Sequence, residues 1–292
     1  LRTLRVECPK LTLVYLPHLD YDHQRLGPRD PRSVQALREV DVLVGELVAA
    51  ADTVGAATVV VSEYGITDTP RPVHINRALR EAGLLTVRSA PPSDPAIGDA
   101  LDVFTSRAYA VVDHQLAHVY TRDAASRAEA RRVLEALPGV AEVLEGPSRA
   151  AAGLDHENAG DLVVLSERDA WFTYYYWLDA SGTPDFAPTV DIHRKPGYDP
   201  CELFVDPRLR VPAVRVARRL AQKKLGFRYL MDVIPLDATL VKGSHGLLPA
   251  HPDDGPVWLS SEPWSTANPE PSPGCDSISM RSVKARVLGL LA

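Results

Sequence analysis

The sequence predicts an α/β fold, a core with a largely parallel sheet between helices plus a small α+β subdomain, and three observations predict it. Residues 11–16 and 58–61 are short apolar runs rich in β-formers, the texture of strands buried on both faces. Between them Asp30 stands as an N-cap with Pro31 at the first helical position, and Val34, Leu37, Val40, Val44, Leu47, Val48 and Ala51 keep helical spacing as far as Gly55. From Ala108 onward the texture changes to short strands around one helix, as a small α+β unit requires.

Taken in order, the strand at 11–16 ends at Pro17 and delivers a polar loop, 17–28. Strand, core-facing helix and strand make a β-α-β unit. A parallel sheet built this way binds ligands at the carboxyl ends of its strands, where Asp20 and Glu63 both stand. Strands at 108–112, 118–120, 140–144 and 161–165 and a helix at about 123–137 form the small α+β subdomain. The aromatic stretch from Trp171 to Trp177 reads either as a strand or as a lid over a site. Residues 230–233 and 257–260 return to the main sheet, and Val283, Val287, Leu288 and Leu291 close the chain with an amphipathic helix. The expected division is 1–107 for the first part of the core, 108–170 for the subdomain, 171–229 for a lid or connecting segment and 230–292 for the return to the core.

The chain has 292 residues, 45% hydrophobic and 24% charged, the profile of an ordinary soluble globular protein. A formal charge of -6 and a pI near 5.9 disfavour a binder of nucleic-acid polymers, which needs a basic face. Cys8, Cys201 and Cys275 lie far apart and form no C-x-x-C pair, so they are read as buried free thiols rather than as disulfides or a zinc cluster. No apolar run approaches the roughly 20 residues that span a bilayer, and no signal peptide opens the chain, which points to the cytoplasm. The first residues are Leu1, Arg2 and Thr3 rather than an initiating Met. The phosphate-cradling loop G-x-x-x-x-G-K-[ST], the dinucleotide fingerprint G-x-G-x-x-G and the nucleophile elbow G-x-S-x-G do not occur.

Four constellations carry candidate chemistry. His18, Asp20, Asp22, His23 and Gln24 crowd the segment before Gly27 and Pro28; carboxylates and imidazoles just past a strand are metal-ligand types, or else backbone caps and solvated side chains. Glu63 at the end of the second strand is a metal-ligand candidate, and Gly65 lets the backbone turn tightly. His245 stands before Gly246 in a Gly-rich run that is otherwise a plain turn. His193 is a further imidazole, followed by Arg194 and Lys195, cations suited to phosphate oxygens. Asp113, His114 and His118 are read as structural.

Read together and in order, these motifs resemble the nucleotide pyrophosphatase and type I phosphodiesterase family of the alkaline phosphatase superfamily. That family carries an Asp with a His four residues on before Gly-Pro, then Asp-His-Gly at a strand end, then a late His-Gly. Asp20 matches the first Asp, Gly27 and Pro28 the Gly-Pro, and His245 and Gly246 the last pair, while Glu63, Tyr64 and Gly65 lie where Asp-His-Gly is expected. The departures are Gln24 in place of the His, Glu63 in place of the Asp and Tyr64 in place of a His ligand.

The resemblance implies an alkaline phosphatase-like core and a metal-dependent hydrolase of phosphodiester or nucleotide pyrophosphate bonds. The alternatives are a catalytically degenerate member that binds a phosphorylated ligand, and a phosphonate hydrolase or phosphomutase of the same superfamily. It implies one or two divalent ions, zinc first and manganese or calcium otherwise, held by Asp20, Glu63 and His245 with His193 or His23 as substitutes. Tyr64, Arg194 and Lys195 are the implied substrate contacts, the rings from Trp171 to Trp177 either stack a base or pack the core, and a small phosphorylated molecule is the expected partner. The family's Thr or Ser nucleophile matches nothing here and is expected upstream of Leu1.

Overall fold

Four short runs rich in β-formers between Ala108 and Ser166 fold as an antiparallel sheet. The computed structural model describes residues 2–89, 91, 97–262 and 278–291. The chain divides into two units, one of residues 1–22, 28–66 and 248–292 and one of residues 23–27 and 67–247. Among the described residues no helix is long and apolar enough to cross a membrane.

The first unit contains α1 (Arg2–Val6), α3 (Pro31–Asp52), β1 (Val59–Val61), β12 (Trp258–Ser260) and α8 (Val283–Gly289). Helix α3 starts where its cap predicts: the Asp30 side chain accepts the Arg32 amide at 2.8 Å. Its buried line runs through Ser33, Ala36 and Val40, whereas Val34 and Leu37 stay exposed, so the core-facing stripe lies to one side of the predicted one. Strand β1 pairs with β12 in antiparallel register, Val59 opposite Ser260 and Val61 opposite Trp258.

The second unit holds the core. Strands β6 (Ala108–Asp113), β7 (Leu116–Thr121), β8 (Val140–Glu145) and β9 (Leu162–Ser166) form an antiparallel sheet in the order β6-β7-β9-β8. Helix α5 (Ala124–Glu135), capped by Asp123 on the Ser126 amide at 2.7 Å, buries Ala130 and Leu134. The outer edge of β6 is covered on two counts. The Asn76 side chain exchanges two 2.8 Å hydrogen bonds with the Ala110 backbone, and residues 196–198 bond to both sides of Val112. Gly197, at φ +122°, is required there because a Cβ would run into the Val112 carbonyl. Strand β10 (Ala170–Phe172) runs parallel to β3 (Arg71–Val73), next to α4 (Ile75–Glu81). Two short antiparallel pairs complete the unit: β2 (Thr67–Asp68) with β11 (Gly243–Ser244), and β4 (Val87–Arg88) with β5 (Ala100–Leu101).

Several expectations are corrected. Residues 11–16 form neither strand nor helix, and Leu13 and Tyr15 are 84% and 80% exposed; an apolar run becomes a strand only where a neighbour pairs with it. The polar segment after it is a helix, α2 (His18–Leu26), rather than a loop. Since β1 pairs antiparallel and Val61 is exposed, the buried parallel β-α-β unit is not formed among the described residues. The β10–β3 pair is the parallel one among the named strands, so the largely parallel sheet gives way to mostly antiparallel pairing within a mixed helix-and-strand fold. Residues 230–233 are not a strand. Of the alternatives for Trp171 to Trp177, strand and core packing hold: Trp171 and Phe172 lie on β10, and the rings are buried with Trp171, Phe172 and Tyr174 at the centre. Cys201 is buried as expected, Cys8 is exposed, and Cys275 lies outside the described residues.

Candidate functional site

Asp20, Glu63 and Tyr64 belong to the first unit, Asp20 ahead of α3 in the chain and Glu63 and Tyr64 just after β1. Asp20 stands in the first turn of α2. The turn after β1 holds Glu63 exposed and Tyr64 half-buried, and the Tyr64 hydroxyl donates to Asp20 Oδ1 at 2.9 Å. Burial first, and then the Asp20 carboxylate, push the Tyr64 phenol well above its ordinary range and hold it protonated. Gly65 is required for a different reason from the one the sequence suggests. Its φ is not in the left-handed region, but a Cβ would run into the Asp254 carbonyl.

In the second unit, β11 leads directly to His245. The His245 ring packs on that of His114, centroids 3.8 Å apart and planes tilted by 36°. His114 in turn lies against Tyr198 at 4.7 Å and meets the Ser244 hydroxyl through Nδ1 at 3.0 Å. The Gln115 amide donates to the His245 carbonyl at 3.0 Å. Burial, with His245 beside it, keeps His114 neutral, and its backbone sits at φ +57°, a costly position for a side chain of this kind. From sequence alone His114 reads as structural. Its pairing joins positions 130 residues apart at Ser244 and leaves no local signal beyond the Asp-His-Gln turn itself.

The other predicted residues are dispersed. His23 stands in the last turn of α2, His193 is exposed, and Arg194 reaches Asp185 at 3.1 Å while its guanidinium lies over the Phe186 ring. Lys195 is fully buried between Asp199 at 2.8 Å and Glu202 at 2.6 Å, so its ammonium closes an ion-pair knot instead of facing a ligand. Burial raises the Asp199 pKa against the pull of Lys195. A cleft of about 310 Å³ in the same unit is lined by Arg71, His74, Arg77, Glu81 and Leu137, with none of the predicted residues in its wall. Among the described residues no three His, Cys, Asp or Glu side chains gather as a metal ion requires.

Comparison with known proteins adds the family. No curated protein matches the chain. Among solved structures, human ectonucleotide pyrophosphatase / phosphodiesterase 5 is similar at 11% identity over 82% of this chain and 44% of that one, with a TM-score of 0.42. Phosphonoacetate hydrolase from Sinorhizobium meliloti is similar at 22% identity over 52% and 36% of the two chains, TM-score 0.36. An inactive variant of the murine phosphodiesterase 5 in complex with AMP is similar at 14% over 56% and 38%, TM-score 0.38. The chain thus spans less than half the length of these structures. The type I phosphodiesterase / nucleotide pyrophosphatase family matches residues 2–199, about two-thirds of the sequence, and the chain belongs to that family.

Proposed function

We propose that this protein is a phosphoric ester hydrolase acting on phosphodiester or nucleotide pyrophosphate bonds. The observation that carries the reading is the family match over residues 2–199, within which Asp20 and the turn from Glu63 to Gly65 follow in the family's order. The contact between Asp20 and Tyr64, 44 residues apart, supports the correspondence. In this reading Tyr64 is a hydrogen-bond donor and Asp20 its acceptor. In the second unit His245, its ring braced by His114, is the imidazole that stands where the family pattern has its late His-Gly. Arg194 keeps 46% of its side chain exposed, which makes it better suited than the buried Lys195 to meet a phosphate oxygen.

A divalent ion is the cofactor the resemblance implies, and the donors described here do not fit one. Asp20 is bonded to a phenol, Glu63 and His193 are exposed, and His245 lies against His114.

A second reading, a member that binds a phosphorylated ligand without turning it over, is favoured by Tyr64 and Gln24 standing where the family pattern has imidazoles. The two separate when the full-length gene product is offered a phosphodiester, a phosphomonoester, a phosphonate and AMP. Turnover of the diester above the other two esters supports the hydrolase. Binding of AMP with no product from any ester supports the binder and overturns the first reading.

A further inference from the structure

The disagreement between the implied cation and the donors at Asp20 is itself informative. A carboxylate that binds a metal directs oxygen lone pairs at the ion and needs two or more further donors around it. Here Asp20 Oδ1 instead receives the Tyr64 hydroxyl at 2.9 Å. Tyr64 is half-buried on the segment after β1, and Gly65 behind it approaches the Asp254 carbonyl so closely that a Cβ would not fit. Its neighbour Glu63 is exposed. The described histidines of this unit are His18, itself exposed at the start of α2, and His251, which caps the short 3-10 turn Pro252–Asp254.

We propose that the Asp20 side of the site is a hydrogen-bonded subsite and not a cation subsite: Tyr64 commits its one hydroxyl proton to the carboxylate where an ion would otherwise sit. The proposal rests on the assignment of this site to the reactive centre. It predicts that one substitution turns the subsite over. Tyr64→His removes the phenol and places an imidazole beside the carboxylates of Asp20 and Glu63, a set of donor types that zinc accepts.

The test is zinc content of the 292-residue chain after equilibrium dialysis, read by elemental analysis and by the visible spectrum of the cobalt-substituted protein. The native chain and Asp20→Asn should carry the same amount of zinc. Tyr64→His should gain one equivalent, and Tyr64→His with Asp20→Asn should lose that gain. Tyr64→Phe, which keeps the ring and deletes the hydroxyl, serves with circular dichroism to show that the turn survives substitution. Zinc on the native chain that Asp20→Asn removes would overturn the proposal, as would a folded Tyr64→His that gains none. The count does not depend on turnover, so failure here is distinguishable from failure of the hydrolase reading, which shows as absence of product.

Discussion

Leu162 and Val164 on β9 are shielded from solvent, whereas Leu13 and Val14, in a run just as apolar, are 84% and 55% exposed. The two regions differ in what their backbones are offered. Strand β9 has β7 on one side and β8 on the other, and α5 covers residues of the same core. Residues 11–16 pair with no strand among the described residues. Hydrophobicity supplies the drive to leave water, but a strand also needs a partner for its amides and carbonyls before burial is favourable.

The comparison is broken most severely at Lys195. Its removal in Lys195→Ala leaves Asp199 and Glu202 buried without their cation, and a loss of about 3–5 kcal/mol is expected by urea unfolding. Leu162→Ala, opening a cavity in the buried sheet, should cost about 3 kcal/mol in the same assay.

A pH series sharpens the picture of the core around β3 and α4. His74 packs on Tyr175 and meets Thr173 at 2.7 Å, and burial, followed by Arg77, lowers its pKa from 6.5 to about 4. The unfolded chain therefore takes up this proton first. The contribution of His74 is complete above 6.5 and is lost as pH falls toward 4. Stability measured across that window should flatten in His74→Gln, by at most roughly 1.4 kcal/mol per pH unit. The smallest effect belongs to the other region: Leu13→Ala should change stability by no more than about 0.5 kcal/mol.

What was legible in the sequence follows the same division. The start of α3 was readable because Asp30 and Pro31 act within one turn, and the strands β6 to β9 because short runs rich in β-formers are a local pattern. The fate of residues 11–16 and the antiparallel pairing of β1 with β12 were not, because both depend on a partner chosen from elsewhere in the chain. Helix α2 was missed because its residues from His18 to Leu26 are mostly polar and give no apolar stripe to read. At the candidate site, motif order identified Asp20 and Tyr64 as residues of one place. It did not foresee that they bond to each other, nor that His114 would pack on His245.

The central claim is most directly tested by the release of p-nitrophenolate from bis(p-nitrophenyl) phosphate by the full-length gene product, measured beside Asp20→Ala with the fold of each checked by circular dichroism. Turnover by the native protein and its loss by at least about 100-fold in a folded Asp20→Ala, on the scale of removing a group that acts in the transition state, is the predicted result. Equal turnover by the two proteins would contradict the account by placing the reactive centre elsewhere, and no turnover by either would contradict the assignment of a hydrolase.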